Sequence, residues 1–133
     1  MDAVLARLNT CPKLSLRKLS HEEDGPLSIV VDVYENTQIA ESYELIWYDY
    51  VSYAVTSDNY PPSGLLNQKR SAGYLCEVPL SEFKAFVERT KAYLFDPEDR
   101  PLRSWQVVTF TRYVEVVSYS YMEIKPVNGT MGS

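Results

Sequence analysis

Along this chain apolar residues recur with a 3.6-residue period in one long stretch, Ser81–Leu94. Phe83, Phe86, Val87, Thr90, Tyr93 and Leu94 fall on one face there, and Glu82, Lys84, Glu88, Arg89 and Lys91 take the other. The spacing predicts a helix over 81–94, capped by Ser81, with Glu82 in the favourable first turn, and stopped by Asp96-Pro97. Burying Phe83, Phe86, Val87 and Leu94 stabilises by roughly 1.5–3 kcal/mol each, against a few tenths for the exposed pair Lys84/Glu88. Packing on a sheet is therefore expected to hold this helix, with Ile29, Val31, Trp47, Val107 and Val116 or their neighbours beneath it. Phe86→Ala would then cost about 3–5 kcal/mol.

Elsewhere the period is mostly two. Val4, Leu5 and Leu8 predict a short helix over Asp2–Asn9 before Pro12. Leu14, Leu16 and, less regularly, Leu19 predict a strand over Lys13–Ser20, and after the Asp24-Gly25 turn Leu27–Glu35 returns as a second. Tyr43–Thr56 is dense in aromatic and β-branched residues and reads as strand, with Asp49-Tyr50 a bulge or a turn dividing two strands. Ser57–Gly73, rich in Pro, Gly, Ser and Asn, reads as a long loop of the kind that often carries function. A short strand over Gly73–Val78 leads into the main helix. Arg103–Ile124 supplies a hairpin turning near Thr111-Arg112, then an edge segment at Met122–Lys125. Strands too close together for helical crossovers predict an α+β fold: one domain over residues 1–126, a mostly antiparallel sheet with both helices on one face, and a frayed tail over 127–133.

Composition narrows the function classes. The 133 residues, 45% of them hydrophobic, suit a single core. No apolar run is long enough to cross a bilayer and the start lacks the pattern of a signal peptide, so a cytoplasmic chain with no membrane partner is expected. Cys11 and Cys76 have no metal-site or disulfide-framework spacing and read as reduced structural thiols. A net charge of −5, concentrated in the first third at Glu22, Glu23, Asp24, Asp32, Glu35, Glu41 and Glu44, repels phosphate backbones and argues against nucleic acid. The same field could attract a basic protein partner, or serve only solubility.

The runs I-W-Y-D-Y-V-S-Y-A-V, Y-L-C-E-V-P-L-S-E-F-K-A-F-V and W-Q-V-V-T-F-T-R-Y-V-E-V-V-S resemble a loose family of small uncharacterised bacterial proteins, some carried on mobile gene cassettes. In that family a strand of the form aromatic-x-Val-x-Tyr-x-Val precedes a Ser-capped helix and a late strand ends in Val-x-Val-Ser. The likeness covers roughly Ile46–Ser118. It departs at Ser57-Asp58-Asn59, where a further acidic residue is expected, and at Ser104-Trp105, where a histidine is expected. The resemblance implies a fold and no activity.

Chemistry has few candidates. His21 is the single histidine, and the chain has no G-x-S-x-G, P-loop, G-x-G-x-x-G or H-E-x-x-H motif, so no metal and no cofactor are expected. Strand carboxylates remain: Asp32, Asp49, Glu115 and Glu123. Asp49 interrupts an apolar run and Glu115 sits in Y-V-E-V-V, so either could be partly buried with a raised pKa and serve a small hydrolase or ligand-converting enzyme. The structural alternative is that each faces solvent or meets Arg103 or Arg112 across the sheet.

The eleven tyrosines stand out. Tyr48, Tyr50, Tyr53, Tyr113, Tyr119 and Tyr121 lie on predicted strands and Tyr60 in the long loop. Tyr is an ordinary half-buried strand residue, but it is also enriched where proteins meet. The preferred reading is a non-catalytic acidic binding module, of immunity or accessory type, that uses this Tyr-rich face or the 57–73 loop to hold a protein partner or a second copy, with a small ligand as a further option. Tyr113, Val117, Tyr119 and Tyr121 are the expected homodimer patch.

Overall fold

A computed structural model of the chain describes residues 2–10, 13–21, 23, 25–57, 75–77, 82–90, 101–109 and 112–127. Its elements are α1 (Asp2–Thr10), β1 (Lys13–His21), β2 (Leu27–Glu35), β3 (Gln38–Trp47), β4 (Tyr50–Ser57), β5 (Leu75–Glu77), α2 (Glu82–Thr90), β6 (Arg103–Val108), β7 (Arg112–Ser118) and β8 (Met122–Pro126). The α+β class is observed, and every strand pair is antiparallel. The strands divide into two four-stranded sheets, ordered β1-β2-β3-β8 and β4-β7-β6-β5.

Local chemistry accounts for the register. The irregular Leu14, Leu16, Leu19 spacing is a β-bulge: the pairing with β2 slips between Leu16 and Lys18, so the extra residue Arg17 returns Leu19 to the face of the other two. Asn36, at φ 60°, turns β2 into β3 in a conformation that Asn tolerates better than most residues. That hairpin starts β3 five residues before the aromatic run, pairing Gln38 with Glu35 and Glu41 with Val33. Its polar, exposed end gave no hydrophobic signal.

A turn at Tyr48-Asp49 divides the 43–56 run and carries the chain from the first sheet to the second. The late hairpin closes on Thr109. Its Oγ1 both donates to the Arg112 carbonyl (2.7 Å) and accepts from the Arg112 N–H (3.0 Å), so a side chain does what a primed-turn residue would do.

The inward faces of the two sheets share one hydrophobic cluster. Leu14, Leu27, Ile29, Val31, Val33, Leu45 and Trp47 meet Leu75, Trp105, Val107, Val114 and Val116, and the rings of Trp47 and Trp105 stand edge to face at 6.4 Å. α1 supplies Leu8 to this cluster, fully buried, with Val4 and Leu5 packed alongside. Its Arg7 reaches the end of the β2–β3 ribbon, meeting Glu35 and Glu41 at 2.7 Å each. The guanidinium and the Tyr43 hydroxyl hold the Glu41 carboxyl below its usual range.

The expected helix packing needs correcting. α2 lies against β7 through a narrow i, i+4 stripe in which Val87 is buried and Phe83 half-buried. Phe86 is 52% exposed, because the position before Val87 is rotated about 100° off a stripe this narrow. Ile29, Val31, Trp47, Val107 and Val116 are buried between the sheets instead. Ser81, Leu94 and the tail beyond Val127 lie outside the described residues.

Candidate binding edge

The two candidate catalytic carboxylates are not brought together. Asp49 is exposed in the crossing turn, where its backbone forms a staple. The Asp49 carbonyl accepts from the Tyr119 N–H and the Ser118 hydroxyl, both at 3.1 Å, and its N–H donates to Ser120 Oγ at 3.2 Å. Glu115 lies three residues before Ser118, about 10 Å along the strand. It is 8% exposed on the outward face of the second sheet.

Burial pushes the Glu115 carboxyl above its ordinary range. The Gln106 Nε2 hydrogen bond at 3.2 Å opposes that shift, and nearby Glu82 of α2 adds to it. Arg103 answers neither candidate: it pairs with Glu77 at 2.7 Å and lies 3.8 Å over the Tyr121 ring. Asp32 is buried against Arg17 and Ser42. No group of three His, Cys, Asp or Glu among the described residues could hold a metal ion, and no described helix is long and apolar enough to cross a membrane.

The tyrosines scatter over different environments. Tyr48 is exposed and donates to Glu123 at 2.7 Å, and Glu123 also meets Lys125 at 3.2 Å. These two partners hold the Glu123 carboxyl below its usual range. Tyr113 and Val117 are buried on the outward face of the second sheet, Tyr119 is half-buried, and Tyr121 is exposed under Arg103. The expected patch of Tyr113, Val117, Tyr119 and Tyr121 is therefore broken, because its two β7 members already have cover within the chain. Tyr60 and residues 58–73 of the long loop lie outside the described residues.

Tyr50 and Tyr53 form an arrangement the sequence did not reveal. Their rings lie 5.9 Å apart, and that of His21, at the far end of β1, packs 5.3 Å from Tyr53 and 6.4 Å from Tyr50. The Tyr53 hydroxyl and His21 Nδ1 are hydrogen-bonded at 2.5 Å. This trio brings the β1 edge of one sheet to the β4 edge of the other. Beside it, on the outward face of the first sheet, a depression of about 320 Å³ has Lys18, His21, Val30 and Glu44 among its lining residues. The Glu44 carboxylate there accepts from Ser28 Oγ at 2.5 Å.

Among the described residues the two sheets have four edges, and these differ in how they are guarded. An unpaired strand edge invites another strand, and proteins blunt it with charge, proline, bulges, short length or a cover. β1 carries Lys13, Arg17 and Lys18 and the Arg17 bulge. β8 has five residues, including Glu123, Lys125 and Pro126. β5 has three, and the Asn9 side chain of α1 takes its Leu75 N–H at 2.7 Å. β4 reads Y-V-S-Y-A-V-T-S, eight residues with no charge and no proline, broken by one register slip between Tyr50 and Ser52. Val55, near its end, is 46% exposed. The sequence marks β4 as a strand, but only the sheet order makes it an edge.

No protein-family model, curated protein or solved structure matches this chain.

Proposed function

We propose that this chain is a non-catalytic binding module that takes a strand of a protein partner along the open edge of β4. The observation that carries this reading is the contrast among the four edges: β1, β5 and β8 have charge, bulge, proline, brevity or a capping side chain, and β4 has a smooth uncharged run from Ser52 to Thr56. Main-chain hydrogen bonds along such an edge supply affinity, and alternate side chains supply selectivity. The half-buried Tyr53 and exposed Val55 lie on one face of the strand, the face of Val116 and Val114, and offer apolar area next to the seam. The enzyme reading requires Asp49 and Glu115 to converge on one cavity, and their placement gives it no support.

A photo-crosslinking residue at position 55, with one at exposed Glu23 as the control, tests the reading in cells that express the full chain. Discrete protein adducts from position 55 that are missing from position 23 are expected. Equal or absent adducts at the two positions overturn the reading.

A further inference from the structure

We propose that the strand received by β4 is β4 of a second copy of this chain, paired antiparallel about a two-fold axis through Ala54. This rests on the strand-docking reading above and names its occupant.

Symmetry limits the registers. A two-fold axis perpendicular to the sheet keeps the inward faces of both copies on one side, and directly opposed antiparallel residues point to the same side. Tyr53 and Val55 face inward with Val116 and Val114, and Ala54 faces outward with Glu115. Tyr53 must therefore oppose an inward residue of the other copy. With Ala54 opposite itself, Tyr53 meets Val55 twice and Ser52 meets Thr56 twice.

Both pairings are of kinds that stabilise sheets, aromatic with β-branched and hydroxyl with hydroxyl. The register covers the 46% exposed Val55 of both copies and uses only the residues beyond the slip between Tyr50 and Ser52. Centring the pair on Tyr53 would instead bring that irregular end of the strand into the seam.

Charge limits where a second copy can meet this one. A chain of net charge −5 repels its copy over most of its surface. The carboxylates of Glu35, Glu41, Glu44 and Glu123 ride on the first sheet, whereas Ser52–Thr56 brings no charged residue to the seam. Five residue pairs make a small interface, so the dimer is weak and exchanging and is sought at roughly 10–500 μM chain. Screening of the shared negative charge should raise the dimer fraction with salt.

Sedimentation velocity of the full chain over this concentration range tests the pairing. The expected result is a monomer–dimer equilibrium that strengthens between about 0.02 and 0.5 M salt and is abolished by Val55→Lys, which places the missing guard on an already exposed position. In a Cys11→Ala, Cys76→Ala background, Ala54→Cys is expected to cross-link to a covalent dimer under mild oxidant, since opposed Cα atoms lie about 4.5–5.5 Å apart, within disulfide reach. Ser52→Cys is expected not to cross-link.

A wild-type chain that stays monomeric throughout, a dimer that persists in Val55→Lys, or cross-linking at 52 and not at 54 each overturns the proposal. A monomer that still gives heterologous adducts from position 55 removes only the second copy and leaves strand docking standing. A monomer that also gives no adducts from position 55 removes both.

Discussion

Arg17 and Asp32 meet in a forked ion pair on the outward face of the first sheet. Nη2 lies 2.7 Å from Oδ1 and Nε lies 3.0 Å from Oδ2. Arg17 is the residue the bulge inserts, so the slip that realigns Leu19 also aims a guanidinium at a buried carboxylate on the neighbouring strand. Ser42 completes the set, donating to Asp32 Oδ1 at 2.6 Å and accepting from Arg17 at 3.1 Å.

Removing one partner strands the others. Asp32→Ala is expected to lower stability by about 1–3 kcal/mol, less than for a fully buried pair because Arg17 keeps some solvent. Arg17→Met with Asp32→Leu should lose less than the sum of the two single changes. Urea denaturation of the four proteins of the cycle measures the coupling, and strict additivity would show that the fork contributes nothing beyond its parts.

The helix stripe gives a second contrast. Val87→Ala is expected to cost about 1.5–3 kcal/mol and Phe86→Ala less than about 1 kcal/mol, although Phe86 is the larger residue, because Val87 is buried and Phe86 largely exposed. Paired urea midpoints check it. A larger loss at Phe86 than at Val87 would mean that α2 is rotated from the orientation described.

Glu115 sets a pH dependence. Its carboxyl is held above the ordinary range in the folded chain, so on raising pH through that range the unfolded chain ionises first. Folding therefore loses stability from about the usual carboxylate pKa of 4.3 upward, until the folded-state group has titrated as well. Glu115→Gln removes the loss while keeping a hydrogen-bonding side chain beside Gln106. The variant is expected to match wild type near pH 4 and to exceed it increasingly toward pH 7, as thermal unfolding at several pH values would show. A difference that shrinks as pH rises would reverse the assigned direction.

Hydrophobic alternation was enough to find most of the strands, the antiparallel class and the buried faces of Ile29, Val31, Val107 and Val116, because those positions report burial directly. It could not find Gln38–Ser42, whose pairing follows from the Asn36 turn and not from apolar content. Nor could it show that the inward residues of two sheets face one another, which left α2 wrongly expected over Trp47 and Phe86 wrongly expected in the core. The candidate site was least legible. Tyr113 and Tyr50 are the same residue type on similar strands, yet one is sealed on the outward face of the second sheet and the other packs beside His21 at a sheet edge. Edge or centre is a property of strand order, and strand order is fixed by contacts between residues far apart in sequence.

The Asp49 staple bears on how the chain can fold. The passage from β3 to β4 and the passage from β7 to β8 are tied to each other by Asp49, Ser118, Tyr119 and Ser120. The first sheet is thus finished by its last strand only after the second sheet has been traversed, and Leu45–Ile124 and Tyr50–Ser118 are pairings across most of the chain. Contacts of such long sequence separation incur loop-closure entropy before they stabilise anything, so closing the two sheets on each other is slower than forming the local β1–β2, β2–β3 and β6–β7 hairpins. Neither sheet is an autonomous folding unit, so the chain should gain and lose both sheets in one cooperative step.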